Sequence, residues 1–231
     1  MQTKDRWRES LKPRIAAARA LLAERLEEEI VRCAGLTQCG DHVELAFLGR
    51  TIRLNIPGFV AYTADGNVCP EETQILLLDY ITRSRGAKPS GRFLGFRELP
   101  GGAFYDKAFR GYTSEVLIRE LDGNAVAFRR AAVELGGESI DDLGDIAFTF
   151  RALPGVAVAI VWWHGDEEFP ATASVLFDEG AREALPIDGF AAIGRILCNE
   201  LLRSAHQENE NRTMEKPQGR ENNCVEPSEA R

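Results

Sequence analysis

The amino-acid sequence predicts an α+β fold, a single domain with a mainly antiparallel sheet and helices packed against it. Three observations predict it. Alternating apolar and polar residues, the period of a half-buried strand, recur at 42–47 and 51–56, joined by a Gly-containing turn. A second pair flanks Leu153-Pro154-Gly155, the alternating run 146–151 and the wholly apolar run 156–163. The segments with helical apolar spacing do not alternate regularly with strands, which disfavours a doubly wound parallel sheet.

The elements follow in chain order. The first helix is predicted over 13–33, with Pro13 in its first turn, where a missing N–H is harmless. Leu11, Ile15, Leu22, Leu26 and Ile30 form its buried stripe, and Glu24, Glu27, Glu28 and Glu29 its solvated face. The hairpin 42–56 turns at Leu48-Gly49-Arg50, and Pro57-Gly58 ends it before a short third strand at 59–62. A helix over 70–84, a polar loop at 85–91 and a strand at 93–99 come next. Pro100-Gly101-Gly102 stops that strand ahead of a helix over 104–121, and a further helix over 125–135 ends at Gly136-Gly137.

Strands at 146–151, 156–163 and 173–177 form an antiparallel meander. The run from Val156 to Trp163 is apolar throughout, so both its faces are expected to be covered, with Trp162 and Trp163 in the core. A last helix is predicted over 188–204, with Phe190, Ile193, Leu197 and Leu201 as its stripe. Residues 207–231 hold almost nothing apolar and read as a disordered polar tail, leaving 1–206 as the globular domain.

Composition narrows the function classes. A formal charge of −8 over 231 residues argues against nucleic-acid binding, which needs clustered Lys and Arg. The longest apolar run is far short of a bilayer span, and the amino-terminal residues are charged with no secretory h-region. A cytoplasmic protein without membrane contact is expected. Five widely spaced cysteines, with no CxxC pair, fit reduced thiols better than a disulfide framework.

Two places carry candidate chemistry. Asp166, Glu167 and Glu168 crowd negative charge into a strand–strand turn, with His164 two residues away. Crowded carboxylates can hold a cation, can raise one pKa to supply a general acid, or can simply form an exposed acidic turn. An antiparallel return would carry Asp178 away from this loop to the opposite edge. The second place is Gly101-Gly102 at a helix start, where backbone N–H groups can face an anion, with Lys107 and Arg110 on one face a turn further in. The alternative there is a plain turn, since neither a P-loop nor a GxGxxG pattern is present.

Metal ligation by cysteine and histidine is not expected. Cys33 and Cys39 are separated by five residues and a helix end, His42 starts a strand, and His206 ends a helix. No GxSxG or HExxH pattern occurs, so no catalytic residue and no cofactor is assigned.

The block Leu143-Gly144-Asp145, Phe150-Arg151-Ala152-Leu153-Pro154, Gly165-Asp166-Glu167-Glu168-Phe169-Pro170-Ala171, Val175-Leu176-Phe177-Asp178 and Leu185-Pro186 resembles a prokaryotic family, domain-of-unknown-function family 3786. Leu99-Pro100-Gly101-Gly102 and the run Ile75-Leu76-Leu77-Leu78-Asp79-Tyr80 are similar to its pattern as well, and the resemblance covers residues 12–204. The family occurs largely in anaerobic bacteria and methanogenic archaea and assigns no activity to any residue. Some relatives carry a cysteine-rich iron–sulfur segment, which implies a place near anaerobic redox or one-carbon metabolism. This chain lacks that segment, so its redox connection would come through a partner such as an iron–sulfur protein.

The leading expectation is a non-catalytic ligand- or partner-binding domain whose surface joins Gly101-Gly102 to the acidic loop. The rival is a carboxylate-dependent enzyme, with metal-assisted hydrolysis or acid/base chemistry at residues 164–170, Glu167 or Glu168 as base and His164 as its partner. Convergence discriminates them, because an enzyme needs these groups within reach of one another in a pocket.

Overall fold

The computed structural model of the chain describes residues 2–214. It is an α+β domain in which the strand pairing is antiparallel throughout, as read from the sequence, but the strands form two sheets instead of one. The first holds β1 (Thr37–Cys39), β2 (His42–Phe47), β3 (Arg50–Asn55) and β4 (Ala61–Thr63) in chain order. The second has the order β5 (Phe93–Gly95), β9 (Thr172–Asp178), β8 (Val156–Trp163), β7 (Ile146–Leu153) and β6 (Glu138–Ile140). The division has a clear cause: α3 (Glu71–Arg83) follows β4 and carries the chain away before β5 begins.

The helix expected over 13–33 is two helices, α1 (Gln2–Ala23) and α2 (Glu27–Ala34), broken at Leu26, which is extended (φ −67°, ψ 131°). Leu11, Ile15, Leu22 and Ile30 are buried as expected, but Leu26 is exposed. The three glutamates 27–29 are the first turn of α2, where negative charge suits the helix dipole. Arg25 fixes the break by donating to the carbonyls of Ile81 (3.2 Å) and Thr82 (3.1 Å) near the end of α3. Pro13 lies inside α1 instead of in its first turn.

Helix α3 is the hub. Its buried Gln74 behaves like a strand neighbour of β4, accepting from the Ala61 N–H at 3.0 Å and donating to the Ala61 carbonyl at 2.9 Å. Its buried Tyr80 hydroxyl lies 2.8 Å from the Ala34 carbonyl and 2.6 Å from the Pro154 carbonyl, tying α2 to the β7–β8 turn. Burial pushes the Tyr80 phenol up to about 12.

The expected helix over 104–121 is a 3₁₀ turn (Gly102–Phe104), then α4 (Asp106–Tyr112) and α5 (Ser114–Glu120). Thr113 makes the break: its buried Oγ1 donates to the Phe109 carbonyl at 2.6 Å, a side-chain bond that competes with the helical ladder. The bend lets Phe109 stack on Phe96, with ring centroids 4.0 Å apart. Helix α6 (Ala125–Glu134) starts at Asn124, whose Oδ1 caps the N–H groups of Val126 and Ala127.

Strand β8 is central and covered on both sides, as its composition predicts. Trp162 stacks on Phe128 of α6 (5.1 Å), while Gly144, at φ +58°, brings its loop against Val161 on the other face. Trp163 differs from expectation: it lies at the strand end and is 38% exposed. The last helix, α7 (Ile187–Met214), passes Ser204 and runs through residues 207–214, which the sequence reading assigned to the tail. Residues 215–231 lie outside the described residues. Among the described residues no helix is long and apolar enough to cross a membrane.

Candidate functional site

The acidic loop is a self-capped turn. Asp166 donates its N–H to the Phe169 carbonyl, and its Oδ1 accepts from the N–H groups of Glu168 (2.8 Å) and Phe169 (2.7 Å). These backbone bonds hold the Asp166 carboxyl below the usual carboxylate range. His164, Asp166, Glu167 and Glu168 are all exposed, and the His164 N–H is taken by Asp145 (2.7 Å). The carboxylates stand around a reversal without enclosing a space.

Asp178 lies at the other end of β9, opposite Phe93, roughly 20 Å away along the strand. It is buried, and its two oxygens accept from the N–H groups of Ser90, Gly91 and Gly180 at 2.7 to 2.9 Å and from the Ser90 hydroxyl at 3.1 Å. This carboxylate is a structural clamp for loop 85–91.

Gly101 and Gly102 serve packing. Gly101 takes φ +82°, and a Cβ on Gly102 would fall on the Phe96 carbonyl oxygen. The Gly102 N–H is already donated to Leu99 O at 2.9 Å, and α4 beyond it has only seven residues. Arg110 pairs with Asp106 one turn back (3.3 Å), and Lys107 is exposed. The structure does not gather these four residues and the acidic loop around one cavity.

A different set of charges does converge. Helices α1, α3 and α7, with Tyr112 from α4, enclose a groove of about 480 Å³. Its floor is apolar, with Leu11, Ile75 and Leu76 all buried. Its walls carry Glu71, Glu72, Asp79 and Asp188 against Arg14 and Arg195. Arg14 bridges Asp79 (3.3 Å) and Asp188 (3.5 Å), and Arg195 pairs with Glu72. Burial is the largest influence on Asp79 and pushes its carboxyl above the ordinary value, although Arg14 and Arg83 pull it down. Burial and the neighbouring Asp188 likewise raise the Tyr112 phenol.

Sequence reasoning missed this groove because its charges come from three helices separated by long stretches of chain. One signal was present: Asp79 interrupts the apolar run 75–80, and a carboxylate in a buried stripe usually faces a partner or a site. A second missed juxtaposition lies on the first sheet, where Cys39, His42 and Glu44 bring one ligand atom each within 4.8 Å of one another. The sequence reading weighed Cys39 only against Cys33, whereas the hairpin pairs it directly with His42.

Fold and groove together define a two-sheet α+β protein with an acidic, apolar-floored cleft where its helices meet. The sequence matches the model of the family described as Domain of unknown function (DUF3786) over residues 27–200, and the chain belongs to that family. No curated protein and no solved structure matches it.

Proposed function

We propose that this protein is a ligand-binding domain whose site is the helix groove, and that its ligand is a small organic cation with an apolar body. The observation that carries the reading is the charge balance of the groove, four carboxylates against two guanidiniums over a floor of buried aliphatic side chains. Excess negative charge at a partly desolvated site favours a cation, and the aliphatic floor favours a hydrocarbon stem. Arg14, whose side chain is 44% exposed, occupies the place between Asp79 and Asp188 that a ligand ammonium would take. The site is therefore internally satisfied at rest, with an arginine that can be displaced.

This reading keeps the domain non-catalytic and moves its site away from residues 164–170. Their exposure and their separate backbone duties support no acid/base set. The setting in a reducing cytoplasm, beside anaerobic redox or one-carbon metabolism with an iron–sulfur partner, belongs to the same proposal. Its support is the family resemblance and the spacing of the cysteines.

The test is an amide-resolved NMR titration of the full chain with short-chain aliphatic amines and, separately, aliphatic carboxylic acids. Amines should move the amides around Ile75, Asp79 and Gly189. Asp188→Asn should weaken this response, and Arg14→Ala should strengthen it by removing the competing cation. Equal response to the carboxylic acids, or shifts confined to other surfaces, would overturn the reading.

A further inference from the structure

The β1–β2 hairpin gathers a donor set that none of the functional readings above uses. Cys39 and His42 flank the turn Gly40-Asp41 and are directly paired across it, so their side chains share one face. His42 and Glu44 are two residues apart on β2 and therefore share that face as well. The opposite face of β2, with Val43, Leu45 and Phe47, is buried in the core and holds the hairpin in register. A thiol, an imidazole and a carboxylate thus stand half-buried on a rigid support, each offering one atom within 4.8 Å of the others.

We propose that Cys39, His42 and Glu44 form a binding site for a divalent transition-metal ion of zinc type. Thiolate and imidazole ligands favour such ions over Mg²⁺ and Ca²⁺, which take oxygen ligands. The tight turn between Cys39 and His42 places both ligands side by side, as a chelating pair requires. Three protein ligands leave a fourth position open, and Glu44 also lines a cavity of about 530 Å³ bordered by Gly35, Arg151 and Pro154.

A second observation supports the assignment independently. The Nδ1 of His42 lies 3.1 Å from Asp41 Oδ1, while Nε2 is turned to Glu44 at 3.4 Å. A carboxylate accepting from Nδ1 favours the tautomer in which Nε2 presents its lone pair, the arrangement that orients metal-bound histidines. Asp41 is thus a positioning residue. Arg53 donates to Glu44 Oε1 at 3.2 Å, and the second carboxylate oxygen remains available to the ion.

The test uses the reduced full-length chain, stripped with a chelator under anaerobic conditions and titrated with Co²⁺ as a spectroscopic stand-in. One equivalent should bind and produce a thiolate-to-cobalt charge-transfer band, bleached by one equivalent of Zn²⁺. Cys39→Ser should abolish the band, and His42→Gln should do so while leaving Cys39 in place. Asp41→Asn should keep the stoichiometry and weaken affinity by about 10- to 100-fold, the usual effect of removing such an outer partner. Cys33→Ser should change nothing. Circular dichroism of each variant separates loss of the site from loss of the fold. Binding below one equivalent, or a band that survives in folded Cys39→Ser, would overturn the site.

Discussion

The acidic loop and the helix groove are both rich in carboxylates, yet the fold treats them in opposite ways. In the loop, Asp166 is exposed and accepts two backbone N–H bonds, so its charged form is favoured and its carboxyl titrates below the ordinary value. In the groove, Asp79 is partly withdrawn from water, and burial raises its carboxyl even with Arg14 beside it. Crowding of charge along the chain therefore says little about reactivity. What sets a carboxylate apart is removal of its water without full replacement by donors.

Asp178 is the extreme that sharpens the comparison, a carboxylate wholly removed from water and fully re-paired with protein donors. Asp178→Ala leaves the part-buried N–H groups of Ser90, Gly91 and Gly180 without their acceptor. The loss should be the largest of the acidic positions, about 1–3 kcal/mol, since the acceptor is buried but its donors sit on exposed residues that water partly reaches once the carboxylate is gone. Urea unfolding of the variant checks this directly. A loss under about 1 kcal/mol would mean that water replaces the carboxylate without strain.

These three fates were unequally legible in the sequence. Period-two alternation located the pair β2–β3, because one face of each strand is buried and the pattern is local, and the turn at Leu153-Pro154-Gly155 joined β7 to β8. The apolar run of β8 correctly foretold cover on both faces. Breaks decided by tertiary partners were invisible: Arg25 reaching the carbonyls of α3, and Thr113 bonding back to Phe109, each end a helix that propensity would continue. The short strands β1 and β6 were missed because three residues carry no period. The groove fared worst. Arg14, Asp79 and Asp188 meet only after three helices pack, so beyond the carboxylate that interrupts the apolar run 75–80 local spacing holds no trace of the site.

A pH profile breaks the comparison if the two regions respond alike. The folded-state value of Asp79 is raised, so the fold prefers its neutral form. Its contribution to stability is fully present below the unfolded value, roughly 3.9, and is lost as pH rises through the folded value. Asp79→Asn keeps the neutral shape and removes that loss. Thermal unfolding of the variant should match wild type in acid and exceed it at neutral pH, a moderate effect because Arg14 pairing is forfeited at a partly exposed site. Parallel wild-type and variant profiles across this window would contradict the desolvation argument.

Asp166 should show the opposite sign and the smallest effect. Its folded-state value is lowered, so its contribution is present above the unfolded value and disappears as pH falls through the folded one. Asp166→Ala removes the acceptor of the Glu168 and Phe169 N–H groups, both of which water can reach. The expected result is a small drop in the unfolding temperature at neutral pH that closes in acid. Glu167→Gln with Glu168→Gln, in the same loop but without those backbone bonds, should stay within about 0.5 kcal/mol of wild type at every pH. Neighbouring carboxylates would then separate by hydrogen bonding alone, since exposure and local charge are shared. A loop in which the glutamine pair cost more than Asp166→Ala would reverse that order and return residues 164–170 to candidacy as a site.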